Sequence, residues 1–166
     1  MMALMDHEYL PVAKTIADWL RQEGHAALVE PTNDRGVHTV AFRTRGHAFA
    51  LVAYEHDPAF CHVKLGYGLP AGANDELAAL RIASAIQASM KAVKVSVAWA
   101  NLSVMFEVEQ FLSEPGRLEG IVWRAVAVME DAARRFFDDL AAVIPSPADR
   151  FIETMARELG VAENER

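Results

Sequence analysis

The chain has little of what catalytic or metal chemistry usually requires. Its 166 residues include a single cysteine, Cys61, which excludes an internal disulfide and a thiolate metal site. The six histidines are scattered, with no HExxH motif and no pair at helical spacing. Gly66-Tyr67-Gly68 lacks the third glycine and the following helix start of a dinucleotide loop. Basic residues are outnumbered, 16 Lys and Arg against 23 Asp and Glu, for a formal net charge of −7. Such a chain is poorly matched to a phosphate backbone, so nucleic acid is not an expected partner. No apolar run is long enough to span a bilayer. Met1 to Glu8 carries Asp6 and Glu8 where a secretory leader would be basic. The expected location is the cytoplasm, with no membrane partner.

What is present is a globular composition, 52% hydrophobic and 23% charged, and a length that fits one domain with a full core. A first helix is predicted from Pro11 to about Glu23, with Val12, Ile16, Trp19 and Leu20 on one face and Gly24 as its left-handed stop. Strand signals follow at His25–Glu30, Val37–Arg43, His47–Tyr54 and Phe60–Leu69, the last shortened by Gly66 and Gly68. With Arg45-Gly46 as turn centre, Phe42 falls opposite Phe49, Val40 opposite Leu51 and His38 opposite Ala53. Asn74 is the expected cap of a second helix, whose Ala79, Ile82, Ala83, Ile86 and Met90 share a face.

A second hairpin is expected around a loop from Ala100 to Ser103. It pairs Trp99 with Val104, Val97 with Phe106, Val95 with Val108 and Lys94 with Glu109. Glu114-Pro115-Gly116 then breaks the chain ahead of a long helix from about Arg117 to Ile144. Its central stripe includes Ile121, Met129, Phe136 and Leu140, and Trp123, Val126 and Phe137 form a second apolar wing beside it. After Pro145-Ser146-Pro147, a short amphipathic helix is expected to carry Ile152, Met155 and Leu159. The expected domain is 1–144, with 145–166 as linker and docked helix. The predicted core face holds Phe42, Phe49, Leu51, Val97, Trp99 and Phe106, covered by Ile16, Ile82, Ile86, Ile121, Met129 and Phe136.

The residues able to do chemistry have plainer readings. His38, His47, His56 and His62 are expected to be ordinary surface or edge side chains, because a metal site usually shows its ligand spacing. Cys61 and His62 are neighbours on a strand and so point to opposite faces; Cys61 reads as a small buried hydrophobe. Glu107 and Glu109 read as a solvated strand face beside Lys94. Arg35, Arg43 and Arg45 read as solvated turn charge. No catalytic residue, cofactor or metal is expected.

The order helix, three strands, helix, hairpin, long helix resembles the YbjN-like proteins, described as candidate sensory-transduction regulators of bacteria, which share a fold with type III secretion chaperones. The resemblance spans about Pro11 to Ile144. It is carried by Trp19-Leu20-Arg21-Gln22-Glu23-Gly24, by the helix Leu77–Met90 and by the hairpin leading into the long helix. It implies an α+β domain with a mostly antiparallel five-stranded sheet and helices on one face, in the order α-β-β-β-α-β-β-α. In that order, the four runs ahead of the second helix are credited with three strands. It also implies an acidic, non-enzymatic and often dimeric protein.

The resulting expectation is a protein-binding regulator or chaperone-like adaptor with a protein partner. Its homodimer interface would be built on Trp123, Val126 and Phe137. The competing place for that wing is beneath Ile152, Met155 and Leu159 of the same chain. The rival function is a small-molecule-binding domain or enzyme with a pocket between the sheet and the long helix. A convergent polar pocket would favour it, whereas an open apolar groove or sheet edge would favour protein binding.

Overall fold

Arg45 and Gly46 have φ of 50° and 83°, the pair of left-handed residues that a tight mirror-image hairpin turn requires. That turn joins β2 (Val37–Thr44) to β3 (His47–Tyr54) in the predicted register, with Phe42 opposite Phe49, Val40 opposite Leu51 and His38 opposite Ala53. The structure, a computed structural model, describes residues 11–30, 36–54, 57–70, 72–73, 75–111 and 118–144. The expected cap Asn74, the histidine His56 and the whole of 145–166, with Ile152, Met155 and Leu159, lie outside them.

The remaining elements are α1 (Pro11–Gln22), β1 (Ala27–Glu30), β4 (Asp57–Gly68), α2 (Glu76–Ser89), β5 (Lys94–Ala98), β6 (Ser103–Phe111) and α3 (Leu118–Val143). α1 ends as its sequence predicts. Gly24 adopts φ 86°, and the bonds His25 N–H to Leu20 O (2.9 Å) and Gly24 N–H to Arg21 O (3.0 Å) close a Schellman motif. α2 is capped by Asp75, whose carboxylate accepts from the Ala78 N–H at 2.8 Å.

The strands form one antiparallel sheet in the order β1-β2-β3-β4-β6-β5. It has six strands rather than the expected five, because all four runs ahead of α2 pair in the sheet. β4 passes through both of its glycines instead of being shortened by them. The register stacks side chains in rows. One row reads Ala27, Phe42, Phe49, Leu65, Phe106, Val95, and the next Val29, Val40, Leu51, Val63, Val108. Both rows lie on one face, and α1 packs on it over β1 and β2, α3 over β4 and β6, and α2 beside β5 and α3. No helix among the described residues is long and apolar enough to cross a membrane.

The second hairpin is shifted by two residues from its predicted register. Lys94 faces Glu107, Val95 faces Phe106 and Val97 faces Val104. The turn begins one residue early, in a 3₁₀ segment at Trp99–Asn101 that ends on Leu102 in the left-handed region at φ 46°. Trp99 is therefore a half-buried turn residue, not a core strand residue. A shift of two keeps every side chain on its own face, so the expected face survives the error. Phe42, Phe49, Leu51 and Phe106 are buried beneath Ile16, Ile86, Met129 and Phe136, with Val97, Ile82 and Ile121 packed at the margin.

Burial therefore ranks two substitutions. Phe106 is fully buried against the Phe136 ring at 5.9 Å, so Phe106→Ala is expected to cost about 3–5 kcal/mol in urea denaturation. Trp99→Ala, at the turn, is expected to cost less in the same measurement.

Candidate functional site: the sheet face opposite the helices

Strand alternation sends every second residue away from the helices. On that opposite face no helix is found among the described residues. Tyr54 (β3), Phe60 (β4) and Phe111 (β6) meet there, with centroids 5.5 Å apart for Tyr54–Phe60 and 5.2 Å for Phe60–Phe111. Phe60 and Phe111 are direct cross-strand partners, and Phe111 is 67% exposed. Aromatic rings packed at a tilt across neighbouring strands, 51° and 57° between their planes here, give an apolar plateau with little rotamer entropy left to lose.

Charges continue the patch along the same strands. Glu107 on β6 accepts contacts from Lys64 Nζ and His62 Nε2, each at 3.3 Å. Lys94 faces Glu107 in register but reaches diagonally to Glu109, where Nζ lies 3.1 Å from Oε1. The expected Lys94–Glu109 pair therefore exists without being directly opposed. The hydrogen bond from Lys94 holds the Glu109 carboxyl below its ordinary range.

His62 is the unusual member. Its side chain is only 7% exposed, with the Phe60 ring tilted beside it at 6.4 Å and the Tyr54 hydroxyl 3.5 Å from Nδ1. The Glu107 contact is close but lacks hydrogen-bond alignment, leaving Nε2 buried with no hydrogen-bond partner. Burial first, and the Lys64 charge second, hold the imidazole below its ordinary pKa against the opposing pull of Glu107 and Glu109.

The other sequence candidates fall elsewhere. Cys61 points into the core, where burial pushes its thiol up to about 11; such a thiol is a poor nucleophile. His38 is buried on the core face, and no group of three or more metal-ligating side chains occurs among the described residues. Val126 is fully buried within its own chain. Trp123 is half-buried against Trp19, His25 and Phe42, and Phe137 packs edge-on to Tyr67. Trp123 and Phe137 lie about 21 Å apart along α3. Arg45, expected as solvated turn charge, binds Glu130 of α3 at 2.9 Å.

No family model and no curated protein matches the chain. Solved structures share its fold, among them these two. A crystal structure of an uncharacterized protein from Methanothermobacter thermautotrophicus aligns at TM-score 0.51 and 15% identity, covering 75% of this chain and 99% of the other. The crystal structure of YbjN from E. coli, described as a candidate transcription regulator, aligns at TM-score 0.52 and 17% identity, covering 84% and 100%. The chain has a YbjN-like α+β fold.

The buried imidazole makes stability depend on pH with a definite sign. Below pH 6.5 the unfolded chain takes up the His62 proton before the folded chain does, so stability present above 6.5 is lost as the pH falls. His62→Gln is expected to flatten that decline in urea midpoints compared between pH 7.5 and pH 5.5.

Proposed function

We propose that the protein is a non-enzymatic regulator that binds another protein on the face of its sheet opposite α1, α2 and α3. The observation that carries this reading is the aromatic plateau of half-buried Tyr54 and Phe60 with exposed Phe111, bordered by the Lys64–Glu107 and Lys94–Glu109 pairs. An apolar aromatic centre with a charged border is the usual anatomy of an interaction surface. Leu28 and Met105 add exposed apolar area on the same face, 64% and 36% accessible. The partner is a different protein whose apolar anchors seat on the three rings and whose border carries charges of both signs. The regulatory description of the E. coli neighbour points the same way. The inert Cys61 and the salt-paired Glu107 and Glu109 support a role without catalysis.

A photo-crosslinking residue at Glu109, on this face, is compared in cells with one at Ser84, exposed on α2. The expected outcome is one discrete heavier species from position 109, absent from position 84 and lost when Phe111→Asp is added. That substitution is expected to cost no more than about 1 kcal/mol of stability, because the ring is mostly exposed and loses one cross-strand partner, Phe60. No species from position 109, or the same species from both positions, contradicts the reading. A species built of two copies of this chain replaces the foreign partner with self-association.

A further inference from the structure

Behind the sheet, on the helix side, the end of the β2–β3 hairpin stands away from α3 and leaves an open cleft of about 640 Å³. Small-molecule sites typically occupy about 300–1,000 Å³, so the space suits a small metabolite. Ala127 and Ala133 of α3 keep it open, and Tyr67 of β4 and Phe137 of α3 wall it with rings 5.5 Å apart.

The polar groups in this cleft are complementary in kind. Glu130 gives one carboxylate oxygen, Oε2, to Arg45 at 2.9 Å. Its other oxygen, Oε1, is buried with no hydrogen-bond partner. A buried carboxylate oxygen without a donor is costly, and the broad terminal torsion of glutamate lets a small turn present it to the cleft. Arg45 has five donors and spends one of them on Glu130, with a side chain 65% exposed at the rim. Asp131 and Arg134, beside them on α3, are bonded to each other. The Tyr67 hydroxyl is tied to His47 Nδ1. Burial and the nearby Glu130 charge keep that phenol protonated above its ordinary pKa, so it offers the cleft a neutral aromatic face.

One acceptor in want of a donor therefore adjoins a guanidinium with donors to spare, over an aromatic wall. We propose that this cleft binds a small zwitterion of the free α-amino-acid class with an apolar, preferably aromatic, side chain. The ammonium would sit on Glu130 Oε1, the carboxylate on the free edge of Arg45, and the side chain against Tyr67 and Phe137. This site lies on the helix side of the sheet, whereas the proposed partner surface lies on the other, and neither reading depends on the other.

The test is calorimetric titration of the full chain with L-phenylalanine, with phenethylamine, which lacks the carboxylate, and with 3-phenylpropionate, which lacks the ammonium. L-Phenylalanine is expected to bind with a Kd below about 1 mM, and each single-charge analogue about tenfold or more weakly. Glu130→Gln is expected to weaken L-phenylalanine about tenfold while leaving 3-phenylpropionate unchanged, and Arg45→Gln to weaken L-phenylalanine while leaving phenethylamine unchanged. Thermal melts check that both variants fold, and the three-ligand comparison on the unaltered chain stands without them. Absence of saturable L-phenylalanine binding up to about 10 mM, or equal affinity for all three compounds, overturns the proposal.

Discussion

Everything in this molecule depends on the register that holds two apolar rows across the sheet. Phe42, Phe49, Leu65, Phe106 and Val95 line up on the same side as Val40, Leu51, Val63 and Val108. Side-chain direction has a period of two, so a slip of one residue in β4 would turn Lys64 and His62 under α3 and expose Val63 and Leu65. Burying a lysine without a partner costs far more than a hairpin turn contributes, and this holds the register in place. The same alternation gives the other face its character. Once the helices cover one side, Tyr54, Phe60, Glu107 and Phe111 are committed to the other.

The first hairpin was legible because Arg45-Gly46 is a recognisable turn and its flanking residues alternate cleanly. The second was misread by two residues because Trp99 looks like a strand residue and Leu102 gives no sign of its left-handed conformation. The error spared the core, since a shift of two preserves faces. The strand count fell short by one because the family order allows three strands ahead of α2, whereas all four runs read as strands there, the four-residue β1 included, pair in the sheet. The wing of α3 was read correctly as apolar, but periodicity cannot say what covers it. Trp19 of α1 covers Trp123 at one end of it, and Tyr67 of β4 packs on Phe137 at the other.

Neither proposed surface could be found by motif. The aromatic plateau draws one ring from each of three strands, and Phe60 and Phe111 lie 51 positions apart in the chain. The available signal was parity: both rings fall on the opposite phase to the core rows. The cleft has no comparable signal, because it depends on how α3 crosses the β2–β3 turn. Arg45 and Glu130 are far apart in sequence and become partners through that crossing.

The open face can be measured directly in the free protein through its methionines. Met105 lies on that face beside Gly66, 36% exposed, whereas Met129 of α3 is fully buried beneath the core rows. In methyl NMR with a soluble paramagnetic agent, a face open to solvent predicts strong broadening of the Met105 methyl and none of Met129. Equal protection of both methyls would mean that the face is covered, and would contradict its use as a docking surface.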